Sequence, residues 1–137
     1  MPTFKIRHLK LSLKNISILL YVIALILPCF VGAEGLLGIM ALLLGWMGVM
    51  SLDVFVGLPW LANLLFFVSM MFYMLNKKTK IVLTLLAIVF GLFTLGIKKI
   101  PADEGGAYYT VSVGLGFVFW MSSFIILLIS HIREKSA

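Results

Sequence analysis

Cysteine occurs once, at Cys29, so no intrachain disulfide, CxxC redox pair or thiolate cluster for zinc or iron–sulfur can form. That excludes the quinone-linked disulfide oxidoreductases, a class that otherwise suits a chain of 137 residues. Histidine occurs twice, at His8 and His131, on flanking segments that make no zinc site. Charge is scarce: 12% of the residues are ionic, where a soluble domain carries about a quarter. Neither a GxGxxG pattern nor a Walker-type phosphate loop occurs. Internal repeats and low-complexity linkers are missing as well, which leaves one expected domain over residues 1–137.

What the chain does have is apolar sequence, 63% of its residues, with a mean hydropathy of +1.19. It reads as an integral membrane protein, and the useful arithmetic is how many apolar segments of roughly 20 residues it holds. The first span runs from about Ser17 to Phe30 and continues to Gly32. A cleavable signal is the alternative there, with Pro28 as helix breaker and the small-residue run Val31-Gly32-Ala33. A retained helix is expected instead, because Ala33 leads straight into further hydrophobic sequence. Three later spans follow. Leu58–Leu75 has Pro59 at a position that a helix start tolerates and an interfacial Trp60; Ile81–Ile97 and Thr110–Ile132 complete the set.

Between the first two spans, Gly35–Met50 is apolar but only sixteen residues long. At 1.5 Å per residue it reaches about 24 Å, short of the roughly 30 Å hydrocarbon core. Glycines at 35, 38, 45 and 48 weaken it further as a helix. Charge decides its placement. If it does not cross, nine of the eleven basic residues fall on one side: Lys5, Arg7, Lys10, Lys14, Lys77, Lys78, Lys80, Arg133 and Lys135. That is the asymmetry of cytoplasmic loops. If it does cross, the tail and the "NKKTK" turn (76–80) lie on opposite sides and one cationic group must be translocated. The expected fold is therefore all-α: four transmembrane helices and a short re-entrant or interfacial helix over 35–50, with both termini cytoplasmic at a bacterial inner membrane.

The net charge of +6 is accounted for by these loops, and no nucleic-acid partner is expected. The basic, apolar residues 1–15 can lie on anionic lipid, each cation contributing on the order of 1 kcal/mol, though their ordinary role is a positive flank that sets orientation. No ionisable residue falls at the bilayer centre, where it would point to a transport or proton pathway. Asn63 is the deepest notable polar side chain, suited to bridging helices or to capping carbonyls of the 35–50 segment. Ser122, Ser123 and Ser130 can bond back to their own helix. His131 has only Glu134 beside it, at i+3, so no Ser-His-Asp system is read. Met70, Met71 and Met74 are adaptable packing surface, and the small-residue spacings Ala87/Gly91 and Ser112/Gly116 allow close helix approach.

Four short motifs, "GWMG" at 45–48, "PWLAN" at 59–63, "DEGG" at 103–106 and "GFVFWMSS" at 116–123, together resemble a group of small four-span bacterial inner-membrane hypothetical proteins. The likeness runs from about Leu27 to Leu128. It implies the four-span layout and carries no activity or catalytic residue. The expected function is that of a non-enzymatic membrane protein acting through a protein partner or self-association in the bilayer, as an accessory subunit or an immunity protein. An oligomeric channel or small transporter is the alternative. Glu34, Trp46, Asp53, Trp60, Asn63, Asp103 and Glu104 are the candidate interaction or pathway residues, and no cofactor is implied.

Overall fold

The computed structural model describes residues 12–32, 36–101 and 105–134. Ser12 opens the first helix, α1 (Leu13–Ile26), by accepting the Asn15 N–H at 3.2 Å. Pro28 ends it, because the residue before a proline is driven out of the helical region and Leu27 is extended. Asp53 opens α4 (Val54–Met71) in the same way, accepting the Phe55 N–H at 3.0 Å. This helix starts earlier than the expected Leu58, so Pro59 lies inside it rather than at its first position. The cost is one ladder bond, at the Phe55 carbonyl. Asn76 then accepts the Thr79 N–H at 2.8 Å and opens α5 (Lys77–Leu92), extended by a 3₁₀ turn over Phe93–Gly96. The last helix, α6, spans Leu115–Arg133.

Three of these rods, Val54–Met71, Lys77–Gly96 and Leu115–Arg133, are 18, 20 and 19 residues long and predominantly apolar, with their charges near the ends. At 1.5 Å per residue they reach about 27 to 30 Å, enough to cross a hydrocarbon core. The chain is a multi-pass α-helical membrane protein. With 14 residues, α1 reaches only about 21 Å before the chain turns extended.

The segment expected as one short helix over 35–50 forms two, α2 (Gly38–Leu44) and α3 (Trp46–Met50), broken at Gly45. Short antiparallel ribbons surround them. β1 (Phe30–Val31) pairs with β4 (Ser112–Val113), and β2 (Lys99–Pro101) pairs with β3 (Tyr108–Thr110). All of these gather at one end of the long helices, called here the distal end. The other end carries the start of α1, the α4–α5 turn and the end of α6, and is called the basic end.

Packing follows membrane rules, with small and hydroxyl residues where backbones meet. Antiparallel α1 and α6 touch where the Ser17 hydroxyl donates to the Ser123 carbonyl at 2.7 Å. Thr84 on α5 donates to the Ser69 hydroxyl on α4 at 3.2 Å. Ala87 is fully buried, and Gly91 lies against Met121 and Trp120 of α6, so this spacing works as a helix contact. Ser112 lies in β4 instead, and its partner Gly116 abuts the Pro28 carbonyl, to which it donates its N–H at 2.9 Å. The core is aromatic: Tyr21 stacks on Phe66 at 5.0 Å, and Phe124 meets Phe66 at 5.1 Å and Trp120 at 4.8 Å.

Candidate functional site

The distal end holds a cavity of about 380 Å³ between the α2–α3 elbow and the long helices. That lies within the range of small-molecule and side-chain pockets. Three contacts fix its roof. The Trp60 indole N–H donates to the Leu42 carbonyl at 2.9 Å, tying α2 to α4. Gly45 lies on the Trp60 ring, where a Cβ would come within 2.8 Å of the indole. Gly48 lies on Gly57 and Val56, where a Cβ would meet the Val56 side chain at 2.5 Å and the Gly57 nitrogen at 2.9 Å. At the other edge, the Gly38 N–H donates to the Leu27 carbonyl at 3.0 Å, so α2 is seated on the end of α1.

Asn63 stands at the inner boundary of the cavity and joins three helices. Its Oδ1 accepts from the Tyr21 hydroxyl of α1 at 2.7 Å and from the Trp120 indole N–H of α6 at 2.9 Å. Its Nδ2 donates back to the Pro59 and Trp60 carbonyls at 3.4 and 3.2 Å. The amide is thus the expected interhelical bridge. Capping of the elbow falls to Trp60 instead. The polar atoms at the floor are committed to these bonds.

The remaining wall is mostly aliphatic and aromatic, with Leu25, Ala41, Leu42, Val56 and Phe117 among its residues. Thr94 also lines it, buried, and among the described residues its hydroxyl oxygen has no partner. Asp53 and Lys99 supply its charged lining. Asp53 caps α4 in addition. Cys29 lines the cavity too, its thiol donating to the Leu36 carbonyl at 3.3 Å.

Of the seven candidate residues, Asp53, Trp60 and Asn63 meet at this cavity. Trp46 is half exposed on α3 and is not part of the lining. Glu34, Asp103 and Glu104 lie outside the described residues. Sequence reasoning missed Tyr21, Thr94 and Trp120. A usable signal existed for two of them, since a buried Tyr hydroxyl or Trp indole N–H needs an acceptor and Asn63 is the amide nearest mid-span.

A second group forms at the basic end. Lys80 is buried and bonds both carboxylate oxygens of Glu134, at 3.1 and 3.4 Å. The other ring nitrogen apart, His131 Nδ1 lies 3.8 Å from the same carboxylate. Lys80, placed by sequence among the turn cations, is thus an interhelical ion pair with the C-terminal end of α6. No protein-family model, curated protein or solved structure matches the chain.

Proposed function

We propose that this chain is a non-enzymatic bacterial inner-membrane protein that works by seating an apolar part of a membrane-protein partner in the distal cavity. In this reading α1, α4, α5 and α6 form a four-helix bundle with both termini cytoplasmic. The α2–α3 elbow lies at the outer interface. The observation that carries it is the cavity itself: a preformed apolar recess of about 380 Å³ whose floor atoms are already hydrogen-bonded. Such a recess offers shape and apolar surface, the features of an interaction pocket, and no activated nucleophile. Its position at the membrane exterior suits an accessory subunit or an immunity protein that intercepts a partner from outside.

The channel alternative draws less support. Gly48, which would have to line a pathway as irregular backbone, is packed on Val56 and Gly57, and Gly45, at the edge of the distal cavity, is packed on Trp60. Phe66, Phe124 and Leu127 are fully buried along the bundle.

The test is affinity purification of the full chain in mild detergent, alongside Ala41→Phe, which fills the cavity. Wild-type protein is expected to bring down one partner in stoichiometric amount, and Ala41→Phe to lose it. A partner-free monomer, or a partner held equally by the filled variant, overturns the reading. Ion flux in proteoliposomes that Asp53→Asn diminishes would favour the channel.

A further inference from the structure

The basic end carries a second cavity, also of about 380 Å³, and its walls have a different chemistry. Lys14 of α1, Lys80 of α5, and His131, Arg133 and Glu134 at the end of α6 all line it. Lys80 and Glu134 neutralise each other at 3.1 Å. Lys14 and Arg133 are left exposed, and among the described residues no acid pairs with either. His131 is only 5% exposed, and its Nε2 is buried with no partner among the described residues. A buried polar nitrogen without a partner costs about 1–3 kcal/mol, and His131 is among the residues that line this charged cavity. Leu13, Met70 and Tyr73 give the same cavity an apolar flank.

We infer that this cavity binds a phosphate group, with Lys14 and Arg133 as its charge partners and His131 Nε2–H as a buried donor. A phosphate monoanion or diester offers several acceptor oxygens to donors that converge from two helices, α1 and α6, which a single carboxylate matches less well. Two sources share this chemistry, a glycerophospholipid headgroup and free inorganic phosphate. The apolar flank lies where the acyl chains of a lipid would run, and the site stands at the ends of spanning helices, where headgroups are found. Lys80–Glu134 acts as the fixed back wall, holding the end of α6 against α5 so that His131 and Arg133 face the same space. The inference is independent of the distal cavity and survives if that reading fails.

The experiment uses the full chain in a neutral detergent with three probes: phosphatidylglycerol, diacylglycerol with the same acyl chains, and inorganic phosphate. Native mass spectrometry counts bound lipid, and the melting midpoint reports all three. Phosphatidylglycerol is expected to bind and raise the midpoint, and diacylglycerol to do neither. Lys14→Gln and Arg133→Gln, both exposed, are each expected to weaken phosphatidylglycerol binding about fivefold. His131→Phe, which deletes the donor, should weaken it about tenfold. A Lys98→Gln variant, altered at the distal end, should bind as wild type. Displacement of the lipid by millimolar phosphate assigns the site to the free anion, and lack of displacement assigns it to the headgroup. Equal binding of diacylglycerol, or unchanged binding in Lys14→Gln/Arg133→Gln, overturns the inference. Should His131→Phe fold and bind as wild type, the built site gives way to diffuse attraction and the inference also falls.

Discussion

Asn63 accepts two hydrogen bonds from two other helices, and its removal strands both donors. Interhelical bonds in membranes are individually modest, averaging about 0.6 kcal/mol, but a stranded buried donor costs more than a bond is worth. Asn63→Leu is therefore expected to destabilise the protein by about 1–3 kcal/mol, read from equilibrium unfolding in mixed micelles. No loss of stability would show that Tyr21 and Trp120 find other acceptors. Leu52 makes the opposite prediction. It holds φ 58 in the left-handed region between α3 and α4, and is 87% exposed. Leu52→Gly is expected to raise stability by about 1 kcal/mol in the same assay; a lower stability would mean that the side chain contributes more than its exposure suggests. Asn63 was legible in the sequence as a lone amide in an apolar run. Its partners were not, because Tyr21 and Trp120 lie 42 and 57 positions away and hydropathy does not fix helix rotation when lipid is as apolar as the core.

At the scale of elements, the α2–α3 elbow is held on α4 by glycines rather than by side-chain volume. Gly48 admits the Gly57 backbone so closely that a Cβ would meet the Val56 methyl at 2.5 Å. Gly48→Leu is expected to cost about 1–3 kcal/mol through overpacking and to lift the elbow off the cavity. The loosening is expected to show as faster maleimide labelling of Cys29, whose thiol bonds the Leu36 carbonyl in the segment leading into α2. Unchanged labelling would mean that Trp60 and Gly38 hold the elbow alone. The sequence showed that this run was too short and glycine-rich to be an ordinary crossing helix, and the break at Gly45 agrees with that. The seat on Trp60 and Gly57 was hidden, since close approach depends on which helix faces meet. Both α4 and α5 start four residues ahead of the expected Leu58 and Ile81, capped by Asp53 and Asn76, which hydropathy alone puts in the loops. The four-residue extension of α4 ahead of Leu58 was missed because Pro59 was read as a first-turn residue.

For the molecule as a whole, the legible property was charge. Nine of eleven basic residues flank the segments that meet at the basic end, and the spans themselves are free of Asp, Glu, Lys and Arg except near their ends. What charge alone did not expose is that Lys80 of this set is buried against Glu134, a contact between residues 54 positions apart. The distal and basic ends are separated by the length of α4, about 27 Å for its 18 residues, and a four-span layout puts them on opposite faces of the membrane. The most direct measurement is labelling of single cysteines with an impermeant maleimide in intact cells and after permeabilisation. Ser51→Cys and Lys78→Cys, each in a Cys29→Ser background, place exposed thiols just before α4 and in the first turn of α5. Ser51→Cys is expected to label in intact cells and Lys78→Cys only after permeabilisation; labelling of both from the same side would contradict the layout on which the distal cavity faces outward.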